Sequence, residues 1–102
     1  MITIKSYIMD ETEPKEAFSK RDKFVFNMPA NAKILSIEAY PSIYSAKLEA
    51  IVDDSDTAVK KRTFKVFTEN SSEDLFGYFY ILTLPKVGTQ YTRHVFEMKE
   101  NN

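Results

Sequence analysis

The sequence predicts an all-β protein: one domain over residues 1–102, folded as a small antiparallel sandwich or barrel of about seven strands. Three observations carry this. Apolar and polar residues alternate in a series of short runs, which is the period-two signature of half-buried strands. Those runs are separated by polar connections rich in Asn, Asp, Ser and Pro. One stretch, Phe76–Leu84 (FGYFYILTL), is apolar at odd and even positions alike, and so reads as a strand covered on both faces. No strand precedes a convincing crossover helix, which argues against a parallel sheet.

Taken in order, Ile2–Met9 places Ile2, Ile4 and Ile8 on one face and Thr3, Lys5 and Tyr7 on the other. Asp10–Asp22 is dense in charge, and its early Pro14 and Glu16/Lys20 pair suit one or two helical turns as well as a solvated loop. Lys23–Met28 sets Phe24, Phe26 and Met28 on one face before Pro29. Lys33–Tyr40 gives Leu35, Ile37 and Ala39 as its inner set, and Ala46–Asp53 gives Leu48, Ala50 and Val52. Arg62–Thr68 turns Phe64 and Val66 inward. After Phe76–Leu84 and Pro85, Thr92–Lys99 closes the fold, with His94, Phe96 and Met98 opposite Arg93, Val95 and Glu97; Phe96 is assigned to the core.

Composition narrows the function classes. Net charge is −1, from 14 basic and 15 acidic residues spread along the chain, and no basic run exceeds Lys60–Arg62. Neutralising several phosphates together needs more than that, which argues against sequence-independent nucleic-acid binding. Cysteine is absent, so disulfides, thiolate metal sites and thiol nucleophiles are excluded. Gly77 and Gly88 are the only glycines, too few for a phosphate-cradling loop or a dinucleotide fingerprint. The N-terminus is too short and polar for a signal peptide, and no stretch approaches a membrane span; a cytosolic protein is expected.

No catalytic constellation can be written. His94 is the single histidine and has no cysteine to join it at a zinc site; beside Phe96 and Met98 it reads first as a packed or edge residue. Asp53, Asp54 and Asp56 lack the turn glycine and downstream glutamate of a calcium loop, so neither metal nor cofactor is expected. Arg62, Arg93 and His94 are the candidates for holding an anion, although arginines in such positions more often pair with carboxylates, here Glu49, Glu97 or Asp53. Tyr40, Tyr44, Tyr78, Tyr80 and Tyr91 are the tyrosines open to exposure. Without accompanying basic residues they favour a protein interface, which Phe76 and Leu82 would share.

The order of MPANAKILSIEA (Met28–Ala39), LEAIVDD (Leu48–Asp54), RTFKVFT (Arg62–Thr68), YILTL (Tyr80–Leu84) and RHVFE (Arg93–Glu97) resembles a family of small uncharacterised phage and prophage proteins. Their pattern runs AKILSV, LWALVD, RTFRI, YIGTF and FHVFE. Glu49 replaces the pattern's tryptophan, Glu69–Asn70–Ser71 its GTGH loop and Leu82 its glycine, so no glycine-loop site carries over. The resemblance implies a phage origin and the host cytoplasm, and supplies no reaction. With the residues, it leads to the expectation of a non-enzymatic accessory protein that binds a host protein and inhibits a defence or housekeeping complex. A homodimer through Phe76–Leu84 is a further expectation. The alternatives are a small-ligand binder, such as a nucleotide-signal sponge, and a virion or assembly component.

Overall fold

The computed structural model describes residues 1–9, 17, 23–40, 42–55, 58–68, 76–85 and 92–99. The expected strands form: β1 (Ile2–Met9), β2 (Phe24–Pro29), β3 (Lys33–Glu38), β4 (Ala46–Asp53), β5 (Val59–Thr68), β6 (Tyr78–Leu84) and β7 (Arg93–Met98). They make two antiparallel sheets, a three-stranded one in the order β1-β4-β3 and a four-stranded one in the order β2-β5-β7-β6. The sheets pack face to face with β1 beside β2 and β3 beside β6, so the architecture is a sandwich and not a closed barrel. The helical turns considered for Asp10–Asp22 lie outside the described residues apart from Ala17.

Period-two alternation decides what each strand gives to the core. In β4 it is strict: Ala46, Leu48, Ala50 and Val52 are buried and the residues between them are not. Across the interior, β2 contributes Phe24, Phe26 and Met28, β5 contributes Phe64 and β7 contributes Val95. The rings of Phe26 and Phe64 meet at 6.3 Å. Burying each such side chain is worth roughly 1.5–3 kcal/mol, which makes this layer the main source of stability.

Register then fixes the faces that alternation alone leaves open. Thr3, Lys5, Tyr7 and Met9 stand opposite Val52, Ala50, Leu48 and Ala46, so that side of β1 looks toward the core. Directly paired residues share a face, and the isoleucines therefore point outward, with Ile2, Ile4 and Ile8 exposed.

Four expectations need correction. In β3 a bulge between Ile34 and Ser36 shifts the phase, so Ile34 and Ile37 are buried, Leu35 is half-buried and Ala39 lies exposed beyond the strand. β5 begins at Val59, earlier than Arg62, because Lys60 and Lys61 find ladder partners in Met28 and Asn27 of β2. Phe96 pairs with Lys65 and turns away from the core, while Val95 fills it. Phe76–Leu84 is not a doubly covered central strand: Phe76 and Gly77 form a turn, and β6 is an edge strand with no buried residue.

Candidate functional site

β6 pairs with β7 alone among the described residues, and a bulge between Tyr80 and Leu82 breaks its alternation. Before the bulge Tyr78 and Tyr80 stand opposite Met98 and Phe96 on the outer face. After it Leu82 and Leu84 stand opposite Val95 and Arg93 on the inner face. The expected one-sided set of Phe76, Tyr78, Tyr80, Leu82 and Leu84 is thus divided between two faces. A single extra residue does this, because it reverses every side chain that follows.

The outer face carries an aromatic cluster of its own. Phe67 meets Phe96 edge to face at 5.3 Å and Tyr78 at 6.5 Å, and Tyr80 meets Phe96 at 5.7 Å. Edge-to-face contacts of this kind add about 0.5–1.5 kcal/mol each beyond the area they bury. The Lys65 ammonium lies 5.4 Å from the Phe67 ring and 5.8 Å from that of Tyr78. Phe67 and Lys65 are buried although they face away from the core, so the sheet is apolar on both sides. Toward the edge the cover ends: Tyr80 is 57% exposed and Phe76, on the turn, 91%, while Phe79, opposite Glu97 and so turned to the inner side, is 45% exposed. The stretch Phe76–Leu84 contains no charged residue.

His94 belongs to this outer face. Its Nδ1 lies 3.0 Å from the Thr83 hydroxyl, which lies 2.7 Å from the Tyr80 hydroxyl. The chain of hydroxyl, hydroxyl and imidazole ties Tyr80 to the sheet and positions no nucleophile against a carboxylate. Arg62 and Arg93 point the other way. Arg62 donates from Nε and Nη2 to the two carboxylate oxygens of Glu97 at 2.8 and 2.7 Å, and from Nη1 to the Ala32 carbonyl at 2.8 Å. Both partners are buried. Glu97 was one of the expected carboxylates, but the pair is internal, not a surface one, and it closes the sandwich beneath the β2–β3 turn. Arg93 donates to the Ile37 carbonyl at 3.4 Å, and its Nε is buried without a partner. The three anion candidates therefore do not converge: two face the interior at separate positions along the sheet, and the third lies on the opposite face.

Tyr40 and Tyr44 lie on the β3–β4 connection, outside the aromatic cluster, with the Lys47 ammonium 4.7 Å from the Tyr40 ring. Tyr91 lies outside the described residues. Asp53 accepts hydrogen bonds from the Ser55 backbone N–H at 3.0 Å and hydroxyl at 2.8 Å, and Asp54 pairs with Lys5 at 3.6 Å; Asp56 lies outside the described residues. The Ser55 backbone bond, then its hydroxyl, holds the Asp53 carboxyl below its ordinary value. Among the described residues no three of His, Cys, Asp and Glu gather at one point, and no helix is long and apolar enough to cross a membrane.

Sequence reasoning, with Thr63 and Lys65 outward in Arg62–Thr68, missed Phe67 as a member of the outer face. The signal was present in RTFKVFT, where Phe64 and Phe67 lie three apart and so fall on opposite sides of a strand. Comparison with family models, curated proteins and solved structures gives no match to this chain.

Proposed function

We propose that this chain is a non-enzymatic binding module that docks a protein partner along β6 and the aromatic outer face beside it. The observation that carries the reading is an uncharged edge strand, paired among the described residues with β7 alone, whose flanking aromatics Phe76, Phe79 and Tyr80 are exposed. Edge strands of soluble proteins are ordinarily guarded by charges, prolines or cover, because their open N–H and C=O groups template further pairing. Here the other edge of the same sheet ends in Pro29, and β1 and β3 carry Lys5, Lys33 and Glu38. Within Tyr78–Leu84, β6 carries neither charge nor proline and is broken by a bulge. A partner strand added there would gain ladder hydrogen bonds from the backbone and aromatic contacts from Tyr80 and Phe79, the two components of recognition by strand addition. Exposed tyrosine and phenylalanine at the centre of such a surface are the residue types that dominate binding energy.

The phage-accessory reading, with a host protein as the partner and inhibition of its complex as the outcome, rests on the order of the segments from Met28 to Glu97. The experiment is affinity capture from host lysate with the wild-type chain and with Phe76→Ser and Tyr80→Lys variants, followed by titration of the captured protein. The expected result is a stoichiometric partner whose affinity falls at least about tenfold in each variant, as for a hot-spot aromatic. Affinity unchanged in both variants, or no captured protein, would sink the proposal. Light scattering on the purified chain separates a foreign partner from self-association, which the same substitutions would abolish.

A further inference from the structure

Arg93 carries a charge that the described fold does not neutralise. It stands half-buried on the inner face of β7, opposite Leu84 at the end of β6 and on the same side as the buried Val95. From there it reaches across to the other sheet, where Nη1 donates to the Ile37 carbonyl of β3 at 3.4 Å, a long bond. Nε is sealed from solvent without a partner, and Nη2 bonds to no described residue. No carboxylate among the described residues pairs with the guanidinium. Glu97, further along the same face of β7, is taken by Arg62, and Glu38, next to Ile37, turns to the outer side of β3.

A sealed N–H without an acceptor destabilises a fold, and a half-buried cation without a counter-charge does so again. An apolar side chain beside Leu84 would incur neither cost. The arrangement is explained when a carboxylate reaches the guanidinium from outside, and the ladder says from where. Arg93 and Leu84 form the last inward row that β7 and β6 share. A strand added to β6 extends this row by one residue, whose side chain also points inward because directly paired residues share a face. That residue lies two strand spacings from Arg93, about 10 Å between backbones, which an extended arginine and an acidic side chain span together. Nη1 and Nη2 offer N–H donors end-on, and a carboxylate accepts two parallel bonds from such a fork. The preceding inward row is apolar, Leu82 against Val95, so the next inward residue of the added strand meets an apolar neighbour.

We infer that the strand docked on β6 carries an Asp or Glu beside Leu84, paired with Arg93, and an apolar residue two positions away beside Leu82. The inference rests on docking at β6 as proposed above. It is tested by panning a random displayed peptide library against the purified full chain. The wild type is expected to enrich peptides with an acidic residue two positions from an apolar one, and Tyr80→Lys to lose them. One enriched peptide is then made with its acid and with the corresponding amide. Calorimetric titration is expected to give about a tenfold loss for the amide on the wild type, typical of one charge-assisted contact, and no difference on Arg93→Gln. On the wild type itself, the Arg93 side-chain N–H signal in NMR shifts at saturation with the acidic peptide and not with its amide, a readout that needs no variant to fold. Peptides that depend on Tyr80 but share no acidic position overturn the inference and leave docking at β6 standing. So does an acid whose removal weakens binding to Arg93→Gln as much as to the wild type. No enrichment, or enrichment that Tyr80→Lys leaves unchanged, removes both.

Discussion

β2 and β6 flank the same four-stranded sheet, yet Phe24, Phe26 and Met28 of β2 are buried while β6, with more aromatic residues, buries none. The cause is geometric. Strands are spaced about 4.8 Å apart within a sheet, so three strands cannot cover four. The shortfall falls on the β6 side, where the bulge at Ile81 also sends the tyrosines outward. Apolar content states how much a strand could bury. Phase and the opposing sheet decide how much it does bury.

The comparison breaks first at its largest contrast. Phe24→Ala is expected to cost about 3–5 kcal/mol, since it removes a fully buried ring from the core. Phe79→Ala, at a half-exposed position, should stay below about 1 kcal/mol. Equal shifts of the two midpoints in urea denaturation would refute the asymmetry between the edges. Glu97→Ala probes the sheet between them. It leaves the Arg62 guanidinium buried without its carboxylate and is expected to cost roughly 3–5 kcal/mol. The double replacement Arg62→Met/Glu97→Leu should recover most of that loss, because an apolar pair owes no desolvation. A double variant no more stable than Glu97→Ala would contradict this account.

Gly77 sharpens the comparison at the turn that feeds β6. Its φ is +97°, and a Cβ there would meet no atom within 4 Å, so Gly77→Ala carries backbone strain alone. A loss of about 1–2 kcal/mol is expected in thermal denaturation. The smallest effect lies away from both edges, at Asp53. Its folded-state pKa is lowered by the Ser55 hydrogen bonds. The stability it contributes is therefore present above the unfolded-state value near pH 4 and disappears as pH falls through the lower folded value. Melting temperatures of wild type and Asp53→Ala, compared from pH 7 down to about pH 2, should converge at the acidic end.

Much of the fold was readable because β2 and β4 alternate strictly, and a period of two leaves only the choice of inner face. Where that choice depended on partners, the chain alone did not decide it. The outward isoleucines of β1 follow from the pairing of Thr3 with Val52 and Tyr7 with Leu48, which no local pattern encodes. The bulges in β3 and β6 shift phase without any glycine or proline at the shifted residue, so neither announced itself. The aromatic face was foreseen through Tyr78 and Tyr80 and missed at Phe67. The buried position of the Arg62–Glu97 pair was hidden because polar letters on a strand read as solvent-facing.

The ladder also governs how this chain reaches its native state. Among the described strands only β3–β4 and β6–β7 pair with their sequence neighbours; β1 must find β4, β2 must find β5, and β5 must wait for β7. Each of those long closures loses chain entropy before any contact compensates, a topology associated with folding over milliseconds to seconds. During that interval the β6–β7 hairpin can assemble locally while its neighbour β5 is still unpaired, leaving both rims of the ribbon open, the β6 rim without a charged residue. Refolding yield is therefore expected to fall as protein concentration rises, and one added lysine in β6 should restore it.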